Sequence, residues 1–373
     1  MTADRPPLPD SYEGLLNRAQ LSFRAGDLEG AIALYRRLVD KLGRLSDGIL
    51  VRRPELRDLH LQARQELASL LRLEGRYAEA IEVKQVLLES HPDQADRWRR
   101  ELAILRLSQG DVEAGLSELR TLAEEEPDDA RRWLALGSET LVEGRFAESQ
   151  AALDRALEVA DGDPQSLAEV HYQRFRLYRA MGRLDDAMAA WEEAVACDPQ
   201  ASTTIREVYT MLTDAGRYSE AQRYVARDDN PLQAGLQQGL IAYLTGNAAQ
   251  ARREWREVAG LKPDDYQAGH DAWVEAVLRL GDPDPALEWL QEALGERATP
   301  RLLILSGIGW AMRQDRELAT VLFQQAINVL RRGRPAKQKL DSADWRLLDS
   351  VVTDSELKAT LKPYFAIVET VWG

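Results

Sequence analysis

A glycine returns along this chain about every 34 residues, and a chain built on one repeated period grows by stacking neighbouring copies instead of closing a single globular core. The glycines are Gly26, Gly75, Gly110, Gly144, Gly182, Gly216, Gly246 and Gly281, with Gln314 in the place of a ninth. Five residues after each stands a small residue: Ala31, Ala80, Gly115, Ser149, Ala187, Ala221, Ala251, Ala286 and Ala319. Nine residues after comes a bulky one (Tyr35, Leu119, Leu153, Trp191, Val225, Trp255, Leu290, Phe323), with Lys84 as the exception. Seven residues before, most copies are small again, as at Ala19, Ala68, Ala103, Gly137, Gly239 and Gly307.

These classes describe a hairpin of two helices that approach closely only where side chains are small, with large residues filling the space between successive hairpins. The glycine takes the left-handed conformation that ends the first helix, and prolines at Pro92, Pro127, Pro164, Pro199, Pro263 and Pro300 mark the end of the second. With these residues at these places, the chain resembles the tetratricopeptide-repeat family over roughly residues 12 to 331. The resemblance implies an all-α, right-handed superhelical solenoid of about nine helix-turn-helix repeats.

The period also marks its own interruptions. Residues 1–10, with Pro6, Pro7 and Pro9, read as a disordered or extended lead, after which Ser11 or Asp10 caps the first helix of a solenoid over 11–331. An insertion from Asp40 to Asp58 implies longer facing helices or an added turn, and Arg227 to Pro231 cuts short the second helix of the sixth repeat. Residues 332–373 read as a linker and capping helices. Ser342 or Asp344 caps one helix through Trp345, Leu347 and Leu348, and Asp354 or Ser355 caps another through Leu357, Leu361, Phe365 and Val368. A solenoid needs its last apolar face covered, and these helices are the expected cover.

Hydrophobic residues make up 45% and charged residues 29% of the chain, which suits a folded core and not a disordered tail. The net charge of -14 argues against general affinity for nucleic acid or anionic membranes. Arg331, Arg332, Arg334, Lys337 and Lys339 form a local basic cluster without interleaved aromatics, which reads as a solvated linker. No stretch approaches the roughly 18 apolar residues of a membrane span, and the N-terminus does not read as a secretion signal. The single cysteine, Cys197, permits no internal disulfide and fits a reducing cytoplasm; arginine in great excess over lysine suggests a bacterial source.

Nothing in the sequence converges on a reacting atom. Ser306-Gly307-Ile308-Gly309 falls inside a helix with no preceding strand, so its glycines read as close-packing positions and not as a phosphate loop. His60, His91, His171 and His270 are scattered through separate repeats, Cys197 has no histidine near it, and runs such as Glu124-Glu125-Glu126 read as solvated faces. The chain is therefore expected to be non-catalytic, with no cofactor and no metal.

The resemblance implies instead a binding surface. In this family the first helix of each repeat lines an inner groove that holds a peptide or a partner's helix, with open positions 13, 10, 6 and 3 residues before the glycine. Here these are Arg97, Arg100, Ile104 and Leu107, then Arg131, Leu134, Ser138 and Leu141, then Glu169, Tyr172, Arg176 and Arg179, and then Thr203, Arg206, Thr210 and Thr213. Arginine grips carboxylates through a planar fork, so Arg97, Arg100, Arg131, Tyr172, Arg176, Arg179 and Arg206 are the expected partner-binding residues and an acidic peptide or helix the expected partner. Glu66, Glu101 and Glu207 are placed to neutralise some of them. The asparagine pair of the chaperone-tail-binding subfamily is missing at these positions. The function expected is that of a scaffold or adaptor. The alternatives are a regulatory sensor for a small ligand or signalling peptide, and a self-associating structural component; the oligomeric state is left open.

Overall fold

In the computed structural model of the protein, all eight periodic glycines have a positive φ, between 72° and 100°, and Gln314 takes the same conformation with φ 65°. At every one of these turns but that of Gly281, the next residue donates its N–H to the carbonyl five residues back, from Asp27 to Ser22 (2.9 Å) through to Asp315 to Trp310 (3.0 Å). This left-handed cap satisfies carbonyls that a helix end leaves unpaired and turns the chain sharply into the next helix. The small residues five positions on are all buried, as are the residues nine on and seven before. The described residues are 11–160, 162–264, 267, 269–331, 340 and 342–365. The proline-rich lead, and the basic cluster beyond Arg331, lie outside them.

The helices divide into two compact units, the described part of the first ending at Ala152 and that of the second beginning at Leu153. The first unit holds α1 (Tyr12–Arg24), α2 (Leu28–Gly43), α3 (Asp47–Arg52), α4 (Pro54–Leu73), α5 (Tyr77–Ser90), α6 (Ala95–Gln109), α7 (Val112–Glu125), α8 (Ala130–Val142) and the start of α9 (Phe146–Val159). Helix α1 packs on α2, α4 on α5 and α6 on α7. Ser11 caps α1 by accepting from the Gly14 N–H at 3.0 Å. Within the insertion lie the short helix α3 and the start of α4. Lys84, the polar exception at a bulky position, is buried with its ammonium 4.8 Å from the Trp98 ring centre and bonded to Glu101. Its aliphatic stem does the filling.

The second unit continues with α10 (Pro164–Ala180), α11 (Leu184–Cys197), α12 (Ile205–Asp214), α13 (Tyr218–Val225), α14 (Pro231–Leu244), α15 (Ala248–Ala259), α16 (Asp271–Leu280), α17 (Pro283–Glu296), α18 (Pro300–Met312), α19 (Arg316–Arg331), α20 (Ser342–Val351) and α21 (Ser355–Leu361). Pro164 and Pro300 open the helices that follow them instead of closing those before, because the first turn is where a missing N–H is harmless. Helix α13 stops at Val225 as expected; Asp228 accepts from the Tyr209 hydroxyl (3.0 Å), and Asn230 caps α14. Gly307 faces the Phe323 ring and Gly309 faces Leu287, so the Ser306–Gly309 run is a close-packing stretch. Within each unit the chain is an all-α solenoid of helical hairpins.

Leu347, Leu348, Val352, Leu357, Leu361 and Phe365 join the buried core built on α16, α18 and α19. Asp354 caps α21. That helix was expected to reach Val368, yet it ends at Leu361, and Lys362–Tyr364 form one 3-10 turn. Pro363 accounts for the break. Phe365 then runs extended, bridging to Leu340 through a Leu340 N–H to Tyr364 carbonyl bond of 2.9 Å, and packs on Phe323 and Trp345. No described helix is long and apolar enough to cross a membrane.

Candidate partner-binding faces

On α6 of the first unit, Arg97 lies at an exposed position with its guanidinium 4.7 Å from the Trp98 ring centre and its Nε 3.1 Å from Glu101. Glu101 is shared with Lys84, so it neutralises Arg97 only in part. Arg100 is exposed and pairs with no acid among the described residues. On α8, the Arg131 side chain is 80% exposed, and its one ion pair is to Asp129, whose carboxylate also caps the helix. The neighbouring arginines behave differently. Arg99 binds Glu118 and Glu125, each at 2.6 Å, and Arg132 binds Asp96 and the Leu122 carbonyl, so both tie helices together.

One part of the expected face is corrected. The position three residues before the glycine is buried at Leu107, Leu141 and Thr213. Leu107 lies where a side chain on Gly115 would fall, and Thr213 accepts from the Gln237 amide at 2.7 Å. In these repeats the helices meet along this edge, whereas Arg179 at the same position is exposed, and the positions 13 residues before the glycine (Arg97, Arg131, Glu169) are exposed.

In the second unit, Tyr172 and Arg179 are brought together by Glu207, which accepts from the Tyr172 hydroxyl at 2.6 Å and from Arg179 at 2.7 Å. Burial and the Glu207 carboxylate push the Tyr172 hydroxyl up to about 12, so it stays a donor. Arg176 donates to Gln173 at 3.0 Å on the same helix. Arg206, on α12, is 3.8 Å from Asp271.

Beyond these lies a charged cluster that the sequence reading did not single out. Arg301, at the start of α18, contacts Asp271 (3.2 Å), Glu275 and Asp344, while Arg279 reaches Glu275 at 2.6 Å. The side chains of Arg279, Asp344 and Asp271 are only 4%, 7% and 9% exposed. Burial opposes ionisation of Glu275, but Arg279 and Arg301 outweigh it and hold the carboxyl at about 2. Asp344, read from sequence as a possible helix cap, lies inside the first turn of α20 and pairs with Arg301. Arg346, two residues on, binds Asp214 of α12 at 2.6 Å. The final helices therefore do more than cover the end of the stack, because α20 lies across the side carrying α12, α16 and α18. A cavity of about 680 Å³ remains between α12, α14, α16 and α20. Its signal in the sequence was the four-residue spacing of Asp271, Glu275 and Arg279, which sets three charges on one face of a helix otherwise full of apolar residues.

Comparison with known proteins follows the same lines. Residues 71–139 match one family model described as Tetratricopeptide repeat, and residues 2–46 match another of the same description. Among solved structures the chain is similar to a tetratricopeptide repeat protein from Parabacteroides merdae, with 15% identity over 70% of this chain and 97% of that one and a TM-score of 0.44. It is also similar to PilF of Pseudomonas aeruginosa (19% identity, 57% and 94% covered, TM-score 0.34) and to yeast Tom70 (12% identity, 95% and 82% covered, TM-score 0.49). No curated protein matches it. The two matched segments are thus similar to tetratricopeptide repeats, and the same left-handed turn recurs at the same place through the remaining hairpins.

Proposed function

We propose that the chain is a non-catalytic scaffold or adaptor that holds an acidic segment of another protein against the first helices of its repeats. Proteins of this family generally mediate protein–protein interactions. The acidic preference rests on one observation: Arg97, Arg100 and Arg131 stand on α6 and α8 with less carboxylate around them than Arg99 and Arg132 have. A guanidinium left in this state gains most from a carboxylate supplied by a partner. The lone Cys197 and the arginine-rich composition favour a bacterial cytoplasm as the setting.

A peptide array spanning acidic, neutral and basic sequences tests the reading. Wild-type protein is expected to retain acidic peptides selectively, and Arg97→Glu with Arg131→Glu to lose that retention by about tenfold or more without a change in melting temperature. Equal retention of acidic peptides by the two proteins would refute it.

A further inference from the structure

The cavity of the second unit has a property that an open groove lacks, namely a wall. Helix α20 stands at one side of it, fixed by the Asp344–Arg301 and Arg346–Asp214 pairs and by Leu347 and Leu348, which are fully buried. At about 680 Å³ the cavity has the size of a small-ligand site.

The charges inside it are unequally matched. Arg179, Arg279 and Arg346 each have a carboxylate within 2.7 Å, and Arg301 has three acids around it. Arg206 is the exception. Its only acid among the described residues is Asp271 at 3.8 Å, and Arg301 already holds that carboxylate at 3.2 Å. Thr210, one turn further along α12, and Gln233 of α14 line the same cavity, and neither side chain has a hydrogen-bond partner among the described residues. A weakly paired guanidinium that shares a cavity with a hydroxyl and an amide is suited to a carboxylate on a short polar body.

We propose that this blind cavity is a carboxylate-binding site, with Arg206 as the residue that grips the ligand and Thr210 and Gln233 as its neutral polar partners. The inference deepens the reading above and rests on it for the sign of the ligand's charge. The carboxylate comes either from a free small acid or from an acidic residue at the end of a partner segment that terminates in the cavity.

Calorimetric titration of the full chain at low ionic strength tests the site with two probes: glutarate, as a free dicarboxylate, and an acetylated, amidated tetraglutamate peptide. At least one is expected to bind. That binding should weaken by about tenfold or more in Arg206→Gln and recover in part in Arg206→Lys, and any glutarate binding should persist in Arg97→Glu with Arg131→Glu. Binding of glutarate alone assigns the site to a free acid, and binding of the peptide alone assigns it to a partner's side chains. If neither probe binds wild-type protein, or if Arg206→Gln binds as well as wild type at an unchanged melting temperature, the site is wrong. Loss of peptide binding in Arg97→Glu with Arg131→Glu, alongside full binding in Arg206→Gln, would leave the acidic-partner reading standing and overturn this one.

Discussion

Gly239 and Gln314 show what the repeat demands of single positions. A methyl group on Gly239 would run into the indole of Trp255, whose Nε1 donates to the Leu236 carbonyl at 3.2 Å. Gly239→Ala is expected to lower stability by roughly 1–3 kcal/mol, read as a fall in the urea midpoint. Gln314 holds a left-handed conformation at an exposed turn, so Gln314→Gly should raise stability by about 0.5–1 kcal/mol. His60 of the first unit is buried with Nε2 unpartnered, and burial, then the Arg64 charge, lowers its pKa from 6.5 to about 4. The unfolded chain therefore binds a proton near pH 6.5 that the folded chain refuses until about pH 4. Stability is intact above that window and falls on acidification through it, by up to about 3 kcal/mol. His60→Leu should flatten this part of the pH profile of the urea midpoint. Turn and contact positions were legible in the sequence because each answers a demand of the local backbone or of a neighbour one helix away. The depressed His60 was not, since its cause is burial of the ring beside Gly43 and the Val39 backbone of α2, a contact between helices.

At the scale of elements, helix ends followed local chemistry closely. Ser11 and Asp354 cap where expected, and proline sets where helices can begin. The place of α20 was not legible, because its sequence states only that it is an amphipathic helix and a cap is the simplest use for one. Its course is decided by Asp344 meeting Arg301 and by Arg346 meeting Asp214, contacts between residues far apart in the chain. Asp344→Asn should lower the stability of the second unit by roughly 1–3 kcal/mol, since Arg301 loses a buried counter-charge but keeps Asp271 and Glu275. Hydrogen exchange is the direct readout: protection should fall in α20 and α21 before it falls in α12. Unchanged exchange in α20 would mean that Leu347 and Leu348 hold the helix without the charge pair.

Over the whole molecule, a net charge of -14 coexists with helix faces that carry arginine at their most open positions. A negative protein repels an acidic partner at long range, so binding has to be carried by close, charge-assisted pairing, and screening acts on both contributions in opposite directions. In the second unit Arg179, Arg279, Arg301 and Arg346 are answered by Glu207, Asp214, Glu275 and Asp344, whereas Arg97 and Arg131 on α6 and α8 are answered only in part and Arg100 by no acid among the described residues. The candidate face was thus half legible: spacing identified the arginines, but only packing determines which of them the chain has already paired. The most direct test of the central claim is the affinity of one retained acidic peptide for wild-type protein and for Arg97→Glu with Arg131→Glu, measured from low to physiological salt. Wild-type affinity at least about tenfold higher at every salt, with the gap narrowing as salt rises, is the expected result. Equal affinities with equal salt dependence would contradict it.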